Sequence, residues 1–228
     1  MLDVTRHRPL FDPSEFGEIQ VSIVGVGGIG SAVCWNLLRL GVQNIAIFDP
    51  DRVEGHNLAN QLFGMSDVGL PKVEALSRSA MHVLDEKVHG ESVRVASGTA
   101  LGEVVFLCVD RMHDRKVIME QCCFGNPGVK RVFDARMDAS HGVVYSIDPN
   151  KSEDRDEWLR YWFPDADANN DTAACGGKIS VCYTAGIVAG LMAHEFVRWT
   201  QSLKDPAVIV RNQRWFNLND DTMEGVVW

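Results

Sequence analysis

The residues with the clearest chemical capacity lie between Val21 and Lys72. Gly25-Val26-Gly27-Gly28-Ile29-Gly30 has the spacing of a phosphate-binding loop, and Asp49 and Asp51 follow about 20 positions on. Gly25 permits a tight turn off a strand, Gly27 lets backbone approach a phosphate closely, and Gly30 lets the following helix pack down on the strand. Backbone N–H groups and the positive end of a helix dipole would then face the phosphates. The acid would reach a ribose hydroxyl. Beyond this stretch, Lys72 opens a helix behind a loop carrying His56, Asn57, Asn60 and Gln61, and Asp110 ends an apolar run. The plain alternative is a glycine-rich turn in some other α/β domain.

These groups need a scaffold, and the hydrophobic pattern supplies one. Val21–Val24 and Asn44–Phe48 read as buried strands on either side of a helix, Ser31 to Leu40, that Gly41 stops. A helix from Lys72 to about Leu84 has Pro71 at its first turn. Ser92–Ala96 reads as a strand, and Glu103–Val109 as a clearer one. An acid leaving a buried parallel strand, as Asp110 does, points into a ligand crevice. A helix over Met112–Cys123, a strand over Lys130–Phe133 ending at Asp134, and an alternating strand over Gly142–Ile147 follow. Residues 150–171 turn acidic and aromatic, which predicts a short helix and then a mobile crossing loop. A helix from about Ser180 to Thr200 contains the small-residue stretch Ala185–Gly190, suited to close packing. Late strands are expected at Val208–Val210 and Trp215–Leu218. The pattern predicts an α/β fold: a doubly wound, mostly parallel, Rossmann-like sheet with an antiparallel edge. It is expected as a single domain over 1–228, with an N-terminal arm (1–20) and a crossover loop (150–178).

Composition narrows the function classes. The 228 residues are 46% hydrophobic with a formal net charge of −9, which supports a full core and argues against nucleic acid or an anionic membrane as partner. The N-terminus has no apolar core of a signal peptide, and no apolar run reaches membrane-spanning length. Cysteines stand at 34, 108, 122, 123, 175 and 182 without any CxxC pair, so no structural zinc is expected. Cys34 and Cys108 lie in apolar contexts that predict buried thiols, and the chain reads as cytoplasmic with reduced cysteines. Arg6, His7 and Arg8 form a small basic cluster, either a solvated arm or one that delivers an arginine to phosphates.

Together these motifs resemble the ThiF/MoeB/HesA family of ubiquitin-activating-like adenylyltransferases, from about Arg6 to Arg198 and most strongly from Val21 to Lys72. The resemblance implies ATP and Mg²⁺ as cofactors, and adenylation of the C-terminal glycine of a ubiquitin-like or sulfur-carrier protein ending in Gly-Gly. A thioester on a cysteine can follow in such enzymes. It implies a homodimer, in which Arg6 or Arg8 crosses the interface as an arginine finger. Gly25, Gly27, Gly28 and Gly30 match the phosphate loop, Asp49 the ribose acid, and Asp51 the second acid of D-x-D. Asn57 and Gln61 match the ends of N-x-x-R-Q, Lys72 the phosphate lysine, Asp110 the magnesium ligand, and Arg115 the arginine five residues on. Cys175 falls at the catalytic cysteine, beside Gly176, Gly177 and Lys178. Three departures stand out: Asn60 replaces the loop arginine, the CxxC zinc pairs are missing, and GGKISVCY follows Cys175. The competing readings are a non-catalytic relative that binds nucleotide or a partner, supported by Asn60, an NAD-dependent oxidoreductase, and a tRNA-modifying relative.

Overall fold

The computed structural model describes residues 2–16, 19–167 and 180–228. A short helix α1 (Pro13–Phe16) precedes β1 (Val21–Val24), α2 (Gly28–Leu40) and β2 (Ile45–Phe48). Then come α3 (Lys72–Leu84), β3 (His89–Glu91), β4 (Val104–Leu107) and α4 (Met112–Ile118). The chain ends with β5 (Arg131–Met137), β6 (His141–Ile147), α5 (Ser152–Arg160), α6 (Cys182–Ser202), β7 (Gln213–Asn217) and β8 (Thr222–Val226). The eight strands form one sheet in the order β3-β2-β1-β4-β5-β6-β7-β8. The first five pair in parallel and the last three antiparallel, the mixed doubly wound architecture the pattern predicts.

Both sheet faces are covered. In β4, Val104 and Phe106 face a core shared with Val33 and Leu37 of α2 and Phe196 of α6, whereas Val105 and Leu107 face Ile118, Met119, Ile147 and Trp158. That double burial explains why β1 and β4 read as continuous apolar runs rather than alternating ones. Among the described residues, no helix is long and apolar enough to cross a membrane. Of the small-residue stretch in α6, Ala185, Val188 and Ala189 are buried in the core, while Gly186 and Gly190 lie on the exposed face.

Four expectations require correction. The strand expected at Ser92–Ala96 lies at His89–Glu91, where Ala46, Ile47 and Phe48 give it parallel partners. Gly90 suits that place because a Cβ there would stand 3.0 Å from the Val73 side chain of α3. β5 runs on through Asp134 to Met137, paired with β6, so Asp134 lies within a strand and not at its end. Val208–Val210 joins no strand. Instead β8 folds back on β7 through a turn in which Asp221 takes a left-handed conformation (φ 57°) and Asp220 accepts from Asn217 and Thr222. Finally, α4 ends at Ile118, and Met119–Cys123 forms a π-turn.

A candidate nucleotide site at the switch point of the sheet

The strand order reverses between β1 and β4, so a crevice opens at their carboxyl ends, the place where open α/β sheets bind ligands. Gly25 leaves β1 with φ +87°, and a Cβ there would stand 2.8 Å from the Cys108 carbonyl oxygen. A Cβ on Gly30 would meet the Gly25 oxygen at 1.8 Å, so only glycine lets α2 approach the strand. Gly27 is the exception: nothing lies nearer than Gln61 Nε2 at 3.9 Å. That opening before the N-terminus of α2 is the concavity a phosphate group needs.

The acids and the lysine meet at the same rim. Asp49 follows β2 directly and is almost fully buried. Its Oδ2 accepts from Val26 N–H at 2.8 Å and its Oδ1 from Asp51 N–H at 2.9 Å. Burial pushes its carboxyl above the usual range, partly offset by Lys72 and these two bonds. The carboxylate therefore braces the glycine loop. Lys72 places its Nζ 3.1 Å from Asp51 Oδ2, and its backbone N–H donates to the Asp51 carbonyl. A bridge between Arg52 and Pro71 fixes this corner. Asp110, three residues past the carboxyl end of β4, is exposed.

The loop after Asp51 behaves unevenly. Asn57 is buried and its Oδ1 accepts from Glu54 N–H at 2.8 Å, so it caps its own 3₁₀ turn. Asn60 and Gln61 lie over the start of α2, and Asn60 Oδ1 and Gln61 Oε1 are buried without a hydrogen-bond partner among the described residues. They line a cavity of about 270 Å³ with Gly28, Ala32, Leu62, Cys182 and Gly186. Buried polar atoms left unpaired are costly, so this arrangement suits a ligand that completes it.

Arg6 and Arg8 do not join this site within their own chain. Their arm docks at the other end of α2, where His7 Nε2 lies 3.3 Å from the Leu40 carbonyl, and Arg8 pairs with Asp12 at 2.8 Å. The 13 residues of α2 separate arm and glycine loop by about 20 Å. Cys175 lies outside the described residues. Among the described cysteines, burial pushes the Cys34 and Cys123 thiols up to about 12 and raises those of Cys108 and Cys122, which leaves Cys182 as the exposed one.

Sequence reasoning missed one feature of the rim. Arg115 is buried and donates to the Leu107 and Val109 carbonyls and to Asp134, thereby holding the turn that carries Asp110. Asp134 is fully buried and also accepts from Trp158 Nε1 at 2.9 Å and from Arg136. Arg136 lies over the Tyr145 ring at 4.6 Å. An Asp and an Arg two apart in a largely apolar strand are the signal that would have disclosed it, since same-face neighbours in a strand can pair.

This arrangement defines a doubly wound α/β protein, with a glycine loop and an acidic rim at its topological switch point. The model of the ThiF family matches residues 14–224, and the chain belongs to that family. It is 33% identical over 120 residues to ubiquitin-like modifier-activating enzyme 5 of Drosophila grimshawi, covering 45% of this chain and 30% of the relative. The Caenorhabditis elegans protein of the same name is 30% identical over 122 residues, 46% and 29% of the two chains. The match thus spans under a third of these curated relatives. Among solved structures, E. coli MccB with ATP superposes at a TM-score of 0.68 and 18% identity, covering 93% of this chain and 64% of that one. PaaA superposes at 0.71 and 16% identity, covering 98% and 77%. These likenesses show the shared fold.

Proposed function

We propose that this protein adenylates a terminal carboxylate of a protein or peptide at the expense of ATP. The observation that carries the reading is the convergence of the open Gly27 concavity, the Asp49–Asp51–Lys72 corner and Asp110 at one switch point. The names of the relatives support an activating role. MccB structures with ATP and with N-formylated MccA support a nucleotide beside a peptide acceptor on this fold. The finer reading is a ubiquitin-like or sulfur-carrier substrate ending in Gly-Gly, with a thioester on Cys175 as a second step.

The residues present suit ATP and a metal. Gln61 turns its amide nitrogen toward Gly27, a donor where phosphate oxygens need one. Asp110 has no partner acids that would make a stand-alone metal site among the described residues. One carboxylate is the set Mg²⁺ uses when phosphates supply its other ligands. Backbone N–H groups of residues 27–30 and the α2 dipole would hold the phosphates, and Lys72 would leave Asp51 to add a charge. Asp110 would hold the ion that neutralises charge developing as pyrophosphate leaves. The substrate carboxylate attacks the α-phosphorus, the bond to pyrophosphate breaks, and an acyl adenylate forms. Such chemistry calls on positioning and charge rather than a general base, and the rim offers those.

Asn60 lowers the expected rate. A lost charge-assisted contact costs about 1.5–3 kcal/mol, on the order of 10- to 150-fold. Exchange of labelled pyrophosphate into ATP, dependent on the protein partner, tests the reading; Asp110→Ala should abolish it and Asn60→Arg should leave it equal or higher. Asn60 and the Lys72–Asp51 pair favour a second reading, a non-catalytic nucleotide binder. ATP binding without exchange in the presence of the true partner would select it.

A further inference from the structure

The described base of the crossover is fastened to the rim that carries Asp110. Asp165 accepts from the backbone N–H groups of Met112 at 2.7 Å and His113 at 3.1 Å, 53 and 52 positions earlier in the chain. Trp162 Nε1 donates to the Met112 carbonyl at 3.0 Å, and Lys116 stands over the Trp162 ring at 4.4 Å. Arg136 Nη1 donates to the Tyr161 carbonyl at 2.6 Å. From below, Asp134 ties Arg136 and Trp158 to Arg115, which grips the Val109 carbonyl next to Asp110. Residues 158–165 and 107–113 therefore share one continuous polar network. Helix N-terminal N–H groups are usually capped from their own chain neighbours. Here a distant carboxylate does that work, and the three contacts from Trp162, Asp165 and Arg136 bracket a five-residue segment.

We propose that Asp165 is a positioning residue that locks the base of the crossover to the Asp110 turn, so that the two shift as one unit. The functional consequence rests on the adenylation reading: fastening the crossover base would hold in place the turn that carries Asp110, the acid that would hold the metal ion. The lock itself is a property of the fold and is measurable without substrate.

The experiment is amide hydrogen exchange on the full chain, with Asp165→Ala and Asp165→Asn, alongside steady-state pyrophosphate exchange. Loss of a capping acceptor lowers protection by about fivefold. Asp165→Ala should speed exchange by that factor both at 158–167 and at 108–111, with the remaining sheet unchanged. Its kcat for pyrophosphate exchange should fall by a similar factor, and Asp165→Asn, which keeps an acceptor, should restore both. Loosening confined to 158–167, or an Asn variant as impaired as the Ala variant, would overturn the proposal. If the wild-type protein shows no pyrophosphate exchange, the adenylation reading fails by itself, while the hydrogen-exchange comparison still decides the lock.

Discussion

Gly27 and Gly30 belong to one motif, yet the structure gives them opposite jobs, and two alanine substitutions should separate them. A Cβ on Gly30 would stand 1.8 Å from the Gly25 carbonyl oxygen and 3.2 Å from Cys108 Cβ, where ordinary contact begins at 3.4 Å. The obstacle is backbone, so α2 must retreat from β1, carrying the buried side chains Ile29, Val33, Leu37 and Leu38 with it. Overpacking of this kind costs about 1–3 kcal/mol, against roughly 1 kcal/mol that alanine gains over glycine inside a helix. A net loss of about 1 kcal/mol lowers the melting temperature of a chain this size by about 2–4 °C. At Gly27 the nearest atom to a new Cβ is 3.9 Å away, so the fold has room for it. The methyl group would instead stand in the phosphate concavity and weaken ATP at least about tenfold, roughly 1.4 kcal/mol. Calorimetric melts without nucleotide, followed by ATP titration, read both effects. Unaltered ATP binding by Gly27→Ala, or an unaltered melt of Gly30→Ala, would refute the assignment of phosphate contact to one glycine and helix approach to the other.

Three further outcomes follow from the geometry. Asp134→Ala should cost about 3–5 kcal/mol in urea denaturation, because it strands the buried Arg115 charge, and pairing Asp134→Leu with Arg115→Met should recover part of that; a loss below about 1 kcal/mol would contradict the hub role. Burial raises the Cys34 and Cys123 thiols to about 12, so at pH 8 both stay protonated and resist iodoacetamide while Cys182 reacts, with labelling growing only as pH nears 12 or the fold opens; peptide mapping that finds all three labelled alike would overturn this. The arm lies at the far end of α2, so an arginine finger must act on a second copy: mixing inactive Asp110→Ala and Arg6→Ala subunits should restore about a quarter of wild-type pyrophosphate exchange, and no recovery would remove Arg6 from the site.

The sequence by itself determined the centre of this protein. A glycine loop between an apolar strand and a helix admits few solutions, since Gly25 and Gly30 answer to local sterics and Asp49 follows its strand directly. β1, β2 and β4, the helices α2 and α3, and the placing of Lys72 and Asp110 were legible for that reason: each depends on neighbours in the chain. Strand pairing at the edges was not, because β3 exists through its register with β2 and not through the residues His89–Glu91, which carry little strand propensity. Likewise the β7–β8 hairpin depends on a turn whose left-handed aspartate is an uncommon choice. The roles within the loop also needed tertiary structure. Asn57 matches a nucleotide-loop position by family resemblance, yet it serves its own turn, and Arg115 and Asp134 look like rim charges until burial joins them. Residue type and spacing report what a group can do, whereas its partners, set by elements distant in the chain, decide which of those things it does.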